Sequence, residues 1–206
     1  MKVRTEARRT AILEEAARLF QEAGYERASM NELARRCGGS KATLYGYFSS
    51  KEALFVAVVR AIATQHLSDA VVEMQQSAQG DRALPELLTR FGERMLAVLT
   101  HDASALAVYR MVVGEAGHSN VGQLFYEAGP AQSIQALAGV MAQAVERGQL
   151  KPWPPRVLAL QFLALVTTET EERVYQTNPP PLATEEISAM VERAVALFLG
   201  GAAASQ

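Results

Sequence analysis

Hydrophobic residues recur about every 3.6 positions along nearly the whole chain, and no stretch shows the alternation of period two that strands require. The first such segment is predicted to be an amphipathic helix that stops at Gly24, where glycine can close a helix. Its apolar face consists of Ile12, Ala16, Leu19, Phe20 and Ala23. The pattern as a whole predicts an all-α protein of nine or ten helices.

Two short helices are predicted next. Ser29 stands three residues before Glu32, which is the spacing of a capping box and predicts the start of a second helix. This helix is expected to end in the glycine-containing turn at residues 37–39. Ser40 is then expected to cap a third helix that ends near Phe48. Two short helices joined by such a turn have the size and spacing of a helix-turn-helix.

A longer fourth helix is predicted from Ser50 to about Gln76, with Ser49 as its cap, followed by a polar loop at 75–81. Because this loop is short, the fourth helix is expected to join the two parts of the chain rigidly. Further helices are expected over 84–99, 103–115, 120–148 with a break or kink at Gly129–Pro130, 155–176, and from a Thr184 cap to about Leu199. Residues 200–206 are expected to fray.

Charge is distributed unevenly over the 206 residues, whose formal net charge is −2. Residues 1–60 carry 11 Lys or Arg and 7 Asp or Glu, a net charge of +4, whereas residues 61–206 carry 9 and 15, a net charge of −6. A basic first part on an acidic body predicts that only the first part contacts a polyanion. Chance unevenness of a mixed surface is the alternative.

The sequence also predicts a cytoplasmic protein. No segment approaches the 18 apolar residues that a membrane span needs, and the first residues lack a signal-peptide pattern. The single cysteine, Cys37, excludes an internal disulfide and fits a reducing compartment. Packing as a small hydrophobe is a better interpretation of Cys37 than a thiol sensor.

The third helix has the pattern of a helix that enters a DNA groove. At 100° per residue, Leu44 and Phe48 face inward, and the opposite ridge carries only small residues. Long hydrogen-bonding side chains occupy the two flanks, so the helix can enter deeply while its flanks reach the groove walls. The predicted DNA-binding residues are Ser29, Ser40, Lys41, Ala42, Thr43, Tyr45, Gly46, Tyr47 and Lys51. Tyr45 as a packing aromatic, Lys51 as a solvated lysine and Gly46 as a weak spot in the helix are the alternatives.

The stretch SKATLYGYFSSKEALF at 40–55 resembles the DNA-binding domain of the TetR family of bacterial transcriptional regulators. Members carry the pattern S-K-x-x-L-Y-x-Y/H-F-x-x-K-x-x-L-F here, and this chain matches nearly every position. The resemblance implies an all-α homodimer that inserts its third helix into the major groove of a palindromic operator. It places Lys41, Ala42, Thr43, Tyr45 and Tyr47 at DNA-contacting positions and Lys51 at a phosphate-contacting position. Gly46 departs from the family, in which a large residue is common there.

The carboxy-terminal part carries no comparably specific motif, but residues 124–150 and the PPRVLALQFLALV that follows are similar to the AefR-like subgroup of regulatory domains. The family implies a helix-turn-helix DNA-binding domain, expected at 1–50, and a regulatory domain, expected at 51–206. The regulatory domain would bind an inducer, and its last two helices would form a four-helix bundle with a second subunit. The apolar stripes of these helices agree with such a dimer. The predicted interface residues are Leu158, Phe162, Leu165, Ile187, Met190, Val191, Ala194 and Phe198. The alternative is that the stripes pack entirely within one subunit.

An inducer pocket is expected among the helices spanning 61–176, because such pockets are mostly apolar with a few polar groups. The candidate lining residues are Phe91, Met95, Tyr109, Met111, Phe125, Tyr126 and Phe162. Candidate polar anchors are His101, Arg110, Glu115 and His118. For each of these, core packing or a solvated surface position is the alternative.

Enzymatic function is not supported by the residues present. The three histidines, His66, His101 and His118, lack metal-ligand spacing, Cys37 has no histidine nearby, and no glycine-rich loop follows a strand. We therefore expect no catalytic residues, no metal and no cofactor. The main hypothesis is a dimeric repressor released from its operator by a small-molecule effector, although these residues do not distinguish a repressor from an activator. The alternative is an all-α ligand-binding or helper protein with a vestigial helix-turn-helix.

Overall fold

The computed structural model describes residues 5–64, 71–72, 83–101 and 103–204, and these form helices, with one isolated bridge between Leu150 and Ala203. The α-helices are α1 Glu6–Ala23, α2 Met30–Arg36, α3 Lys41–Tyr47, α4 Lys51–Val59, α5 Leu84–His101, α6 Ala103–Glu115, α7 Val121–Ala128, α8 Pro130–Glu146, α9 Pro155–Thr167 and α10 Thr184–Ala202. The predicted all-α class is confirmed. Among the helices in these ranges, no single one has the length and hydropathy of a membrane span. Helices α5 and α6 meet that criterion only when they are taken together as a bent pair.

Side-chain caps define the short helices at the amino-terminal end. The Oγ of Ser29 accepts a hydrogen bond from the Glu32 amide, and the Oγ of Ser40 accepts one from the Thr43 amide. Both predicted caps are therefore confirmed. Gly24 ends α1 with φ at 77°, a left-handed value that glycine adopts without steric strain.

The start of α4 differs by one residue from the prediction. Its cap is Ser50, whose Oγ accepts a hydrogen bond from the Ala53 amide, rather than Ser49. Two consecutive serines precede the helix, and the position of Glu52 alone does not decide which hydroxyl reaches an amide.

The long fourth helix is confirmed only in its first part. After α4 the chain continues as a π-helix, Arg60–Thr64, in which the hydrogen bonds span five residues rather than four. Residues 71–72 are helical again, and the rest of the predicted helix, the loop at 75–81 and the rigid link lie outside the described residues.

The predicted helix over 155–176 is a true α-helix only to Thr167. Beyond it, Thr168–Tyr175 forms a 3-10 helix. In this segment the Oγ1 of Thr170 donates to the carbonyl of Thr167, and Glu169 pairs with Arg193 of α10 at 2.6 Å. The last two predicted turns are therefore of the tighter 3-10 type.

Both ends of the last helix differ from the prediction. Its first residue is Thr184 and its cap position is Ala183, whose amide donates to the Glu186 carboxylate at 2.7 Å. Alanine offers no acceptor in return, so only half of a capping box is present. At the other end the helix reaches Ala202, because the Lys151 amide donates to the Ala202 carbonyl at 2.8 Å. The predicted fraying is therefore wrong for residues 200–202.

The described helices divide into two compact units. The amino-terminal unit comprises Met1–Gln65 and Ser104–Gly129, and the carboxy-terminal unit comprises His66–Ala103 and Pro130–Gln206. In the amino-terminal unit, α4 packs on α1 and α7, and valines of α6 join the same core. These contacts do not follow the boundary at residue 50, which stays a prediction about functional domains.

Each unit has an aromatic cluster at its centre. In the amino-terminal unit the rings of Phe20, Tyr25 and Phe55 lie with centroids 5.0 to 5.7 Å apart. In the carboxy-terminal unit the ring of Phe162 lies 6.4 Å from Phe91 and 5.4 Å from Phe198. These distances are those of favourable aromatic pairs, which add to the stabilisation from burial.

Candidate nucleic-acid interface

Helix α3 is held by two buried residues and exposes most of its remaining surface. Leu44 and Phe48 are buried in the core of the amino-terminal unit, as the helical wheel predicted. Gly46 and Tyr47 are partly buried. The exposed residues of this helix are Lys41, Ala42, Thr43 and Tyr45. One flank and the start of the small-residue ridge are thus open to solvent, whereas the other flank is only partly open.

The open flank carries a cation beside a phenol. Tyr45 is 44% exposed, and the Nζ of Lys41, one helical turn earlier, lies 5.8 Å from the centroid of its ring. Attraction between an ammonium and an aromatic face at this distance is worth about 0.5–1 kcal/mol at an exposed site. The pair presents a positive charge and a hydroxyl donor side by side, and both groups suit phosphate oxygens.

The second flank of α3 has a structural partner. The Oη of Tyr47 accepts a hydrogen bond from the backbone amide of Thr5 at 3.2 Å. This bond joins the end of α3 to the cap of α1, 42 residues earlier in the chain. Sequence reasoning placed Tyr47 on the groove wall and missed this contact, because nothing local links the two positions.

Lys51 holds the turn between α1 and α2. Its Nζ donates to the carbonyls of Tyr25 at 3.1 Å and Glu26 at 3.3 Å, and it lies 4.3 Å from the centroid of the Tyr25 ring. An ammonium has three donors, so one remains for a phosphate. The predicted phosphate contact of Lys51 therefore stays a prediction, beside a structural role that the alternative of a solvated lysine did not include.

Tyr25 is buried beneath Lys51 and is kept in its neutral form. Burial, together with the nearby carboxylates of Glu52, Glu26 and Glu115, raises its pKa to about 12. In the part of the chain that the structure describes, its hydroxyl is buried without a hydrogen-bond partner. The Tyr25 ring packs in the aromatic core, whereas its hydroxyl bonds to none of the residues that the structure describes.

Glu115, a predicted polar anchor of the inducer pocket, contacts the same turn instead. Its Oε2 accepts a hydrogen bond from the Glu26 amide at 3.1 Å. The positive φ of Gly24 favours glycine, and a Cβ there would lie 2.2 Å from the Oε1 of Glu115, whose side chain would have to shift. The end of α6 is therefore attached to the turn that Lys51 holds.

An ion-pair cluster joins α1 to α2. Arg36 contacts Glu22 at 2.7 Å, Glu32 at 2.9 Å and Glu15 at 3.5 Å. Hydrogen bonds from Arg35 first and Arg36 second lower the pKa of Glu32 to about 2. The spacing of Glu32 and Arg36 was visible in the sequence, but the contacts with α1 depend on how the helices pack.

Cys37 fits the predicted packing role. The residue is partly buried against the core of the amino-terminal unit, and burial raises the pKa of its thiol. A raised pKa lowers the thiolate fraction at neutral pH and with it the reactivity of the sulfur.

The seven candidate pocket residues are divided between the two units. Phe91, Met95 and Phe162 are buried in the core of the carboxy-terminal unit. The other four belong to the amino-terminal unit, where Tyr109 and Phe125 have ring centroids 6.0 Å apart. For the three buried residues the described contacts match the alternative of core packing. The assignment to a pocket stays a prediction.

Most candidate dimer residues are used by the core of a single chain. Six of the eight are buried in one protomer: Leu158, Phe162, Ile187, Val191, Ala194 and Phe198. Leu165 and Met190 are partly exposed. The large apolar side chains that α9 and α10 leave exposed are Val157, Leu160 and Leu197, the last at 67%. A partner subunit would therefore meet these residues more directly than the six buried ones.

Comparison with known proteins identifies both parts of the chain. Residues 12–58 match the bacterial regulatory proteins of the tetR family. Residues 86–201 match the AefR-like transcriptional repressor, C-terminal domain. The chain belongs to the TetR family. Both resemblances noted in the sequence are confirmed.

Individual proteins and structures that are similar to this chain support the family assignment. The HTH-type transcriptional regulator UidR of Escherichia coli K12 is 33% identical over 100 residues, which cover 41% of this chain and 51% of UidR. The chain spans about half the length of the curated relatives it matches. The structure of the flavonoid-responsive regulator FrrA is 30% identical, covers 97% of this chain and 98% of its own, and has a TM-score of 0.72. A TetR family regulator from Pseudomonas syringae pv. tomato DC3000 is 28% identical, with coverages of 98% and 100% and a TM-score of 0.72. All three of these relatives are named as regulators.

Proposed function

We propose that this TetR-family protein is a homodimeric repressor that binds a palindromic DNA operator and leaves it when a small molecule binds. The observation that carries the proposal is the surface of α3. Leu44 and Phe48 fix the helix in the core, while Lys41, Ala42, Thr43 and Tyr45 face solvent. A recognition helix of a helix-turn-helix requires this combination of a rigid base and an exposed polar face. Such a regulator would act in the cytoplasm, where its operator is.

Dimerisation follows from the geometry of DNA reading. Two α3 helices must lie about 34–36 Å apart, one turn of the duplex, to enter successive major grooves. We assign the contact between subunits to the exposed side of α9 and α10, where Val157, Leu160 and Leu197 are available. Leu165 and Met190, which are partly exposed, extend this surface among the residues predicted from sequence.

The effector is proposed to be an apolar small molecule. It would lower operator affinity only by binding more tightly to a conformation in which the two α3 helices are wrongly spaced. Because FrrA is named for its response to flavonoids and aligns over nearly the whole chain, flavonoids are the first compounds to test. Repression would be relieved by a compound that reduces DNA binding at equilibrium.

The test begins with selection of bound sequences from random duplex DNA by the full chain. On the selected duplex, Tyr45→Ala is expected to weaken binding by about tenfold or more, because it removes a groove contact at the centre of the exposed flank. Tyr175→Ala is the matched control, since Tyr175 is 82% exposed and belongs to the carboxy-terminal unit. Lys51→Ala is measured together with unfolding, because Lys51 also holds the turn before α2.

The outcomes separate the proposal from its alternative. If no duplex is enriched, the helix-turn-helix is vestigial and the protein is a ligand-binding or helper protein. If a duplex is enriched and Tyr45→Ala binds it as tightly as the parent chain, α3 does not read DNA through its exposed flank.

A further inference from the structure

One residue of the turn between α1 and α2 is held from both sides by side chains of other helices. The Glu26 amide donates to the Oε2 of Glu115, the last residue of α6, at 3.1 Å. The Glu26 carbonyl accepts a hydrogen bond at 3.3 Å from the Nζ of Lys51, the first residue of α4. The same nitrogen donates to the Tyr25 carbonyl at 3.1 Å. A cation of one helix and a carboxylate of another therefore fix the turn at 25–27.

The ammonium of Lys51 is surrounded by groups that keep it in this turn. Besides the two carbonyls, it has the Tyr25 ring beside it, with 4.3 Å between the Nζ and the ring centroid. This ring is buried in the aromatic cluster with Phe20 and Phe55. Two of the three ammonium donors are thus bonded and an aromatic face attracts the charge, so the side chain is stabilised in the turn rather than extended towards solvent.

The turn leads directly into the helices that face DNA in the proposed function. The Ala28 amide donates to the Gly24 carbonyl at 3.2 Å, which closes the turn, and Ser29 then caps α2. Ser29 is exposed, and α2 packs on α3. A shift of the turn would therefore displace both Ser29 and the helix on which α3 rests.

We propose that Lys51 contributes to DNA binding as a positioning residue, which fixes the turn at 25–27 together with Glu115 and contacts no phosphate itself. The two side chains bond to the carbonyl and the amide of Glu26, so loss of either releases the same residue. Glu115 has the same sign of charge as a phosphate, so a favourable contribution from it cannot be a phosphate contact. The inference rests on the proposed function, because it requires the helix-turn-helix to bind DNA.

The first measurement is the affinity of Lys51→Met for the selected duplex as a function of salt. Methionine keeps an unbranched stem but lacks the charge and the three donors. Release of the turn should weaken binding by at least about fivefold, the lower end of the usual coupling between two sites. The slope of log affinity against log salt should stay at the parent value. A slope reduced by about 0.9, as expected for one lost phosphate contact, would overturn the positioning role, and so would an unchanged affinity.

Arg147→Ala is the matched control for charge, because it removes one cation from an exposed position of the carboxy-terminal unit. It should keep both the affinity and the salt slope of the parent. Unfolding is measured for every variant, and affinities are compared at a temperature at which all of them are folded. A loss of stability is then not mistaken for a loss of DNA contacts.

A double-mutant cycle tests whether the two side chains act through the same residue. Glu115→Ala should weaken DNA binding in the parent chain, although removal of a negative charge alone would favour it. In the Lys51→Met background the same substitution should have much less effect, because the turn is already released. Glu115→Gln keeps an acceptor for the Glu26 amide and should bind DNA at least as tightly as the parent. Equal losses from Glu115→Ala in both backgrounds would show that the two side chains do not act together.

Failure of this inference can be told apart from failure of the proposed function. If the parent chain selects no duplex, it is the proposed function that fails. If it selects a duplex that Tyr45→Ala binds weakly and Lys51→Met binds as tightly as the parent, α3 contacts DNA and only the positioning role is wrong.

Discussion

Different kinds of contact are prominent within each of the two units of this protein. Around α3, long polar side chains reach backbone groups of other elements: Arg8 to Cys37 and Lys51 to Tyr25 and Glu26. The carboxy-terminal unit is dominated by an apolar core shared by α5, α8, α9 and α10. Hydrogen bonds are directional and fix positions, whereas apolar burial is non-directional and mainly supplies stability. Anchors of the same kind occur in the carboxy-terminal unit, from Lys151 to Gly201 and from Arg173 to Thr100. The two units therefore differ in what their anchors hold, because only those of the amino-terminal unit surround the reading helix.

This difference changes the interpretation of the TetR-family motif at residues 40–55. Two of its residues, Tyr47 and Lys51, each contact the backbone of another element. The motif therefore describes how the reading helix is held as well as what it exposes. The apolar core of the carboxy-terminal unit, in contrast, needs only shape and hydrophobicity, which many sequences provide.

The strongest test of the apolar unit is Phe162→Ala. Phe162 has no exposed surface and lies between Phe91 and Phe198. Removing a buried ring is expected to cost about 3–5 kcal/mol of unfolding free energy, because apolar burial is reduced and a cavity is left behind. Denaturant unfolding at fixed protein concentration measures this. Gln161→Ala, exposed on the same helix, is the control. A cost below about 1 kcal/mol would mean that Phe162 lines a cavity rather than the core.

A smaller effect is expected from Gly92→Ala, which tests the close approach of α5 to α10. A Cβ at Gly92 would lie 2.8 Å from the Cγ1 of Val191, so the helices must separate or the valine must change rotamer. Overpacking of this kind costs about 1–3 kcal/mol. At Gly139, in α8, a Cβ meets nothing within 4 Å. Gly139→Ala should therefore stabilise the protein by about 0.5–1 kcal/mol, because alanine favours the helix. If Gly92→Ala raises the thermal midpoint, as Gly139→Ala is expected to do, the close contact between Gly92 and Val191 does not limit the stability of the protein.

Local structure was largely predictable from the sequence, because caps and periodicity are local signals. The hydroxyls of Ser29 and Ser40 and the inward face of α3 were identified from short stretches alone. The division of apolar stripes between core and surface was not. Phe162 and Val191 satisfy the helical pattern equally well as core and as dimer residues, and only the packed neighbours distinguish the two roles.

The candidate site was predictable as a set of residues but not as a set of bonds. The Thr5–Tyr47 and Glu115–Glu26 hydrogen bonds span 42 and 89 residues, and no periodicity connects such positions. The sequence therefore suggests a pocket position for Glu115, although its carboxylate contacts the turn before α2.

Glu115→Ala tests a directional anchor of the amino-terminal unit. The substitution leaves the Glu26 amide without its acceptor at a partly exposed site, so a loss of about 1 kcal/mol of unfolding free energy is expected. Glu115→Gln, which keeps an acceptor oxygen, should retain most of the stability. DNA affinity is measured as well. For Glu115→Ala it should fall by more than the unfolded fraction of the variant alone would explain. Equal DNA affinity of both variants and the parent would show that the anchor does not act on the reading helix.

The smallest expected effect concerns the Glu32 ion pairs and appears only in acid. The pKa of Glu32 is lowered from 4.5 to about 2 by Arg35 and Arg36, so its ionised form stabilises the folded protein. This contribution is complete above the unfolded pKa and is lost as the pH falls from about 4.5 towards about 2. Glu32→Gln removes it, so the thermal midpoint of the variant should fall less steeply over that range. Glu146→Gln, on an exposed position of α8, removes one carboxylate from the other unit and should change the steepness less. An equal change in both variants would mean that the ion pairs of Glu32 with Arg35 and Arg36 carry no pH dependence of their own, and the contrast between the units would then rest on the backbone anchors alone.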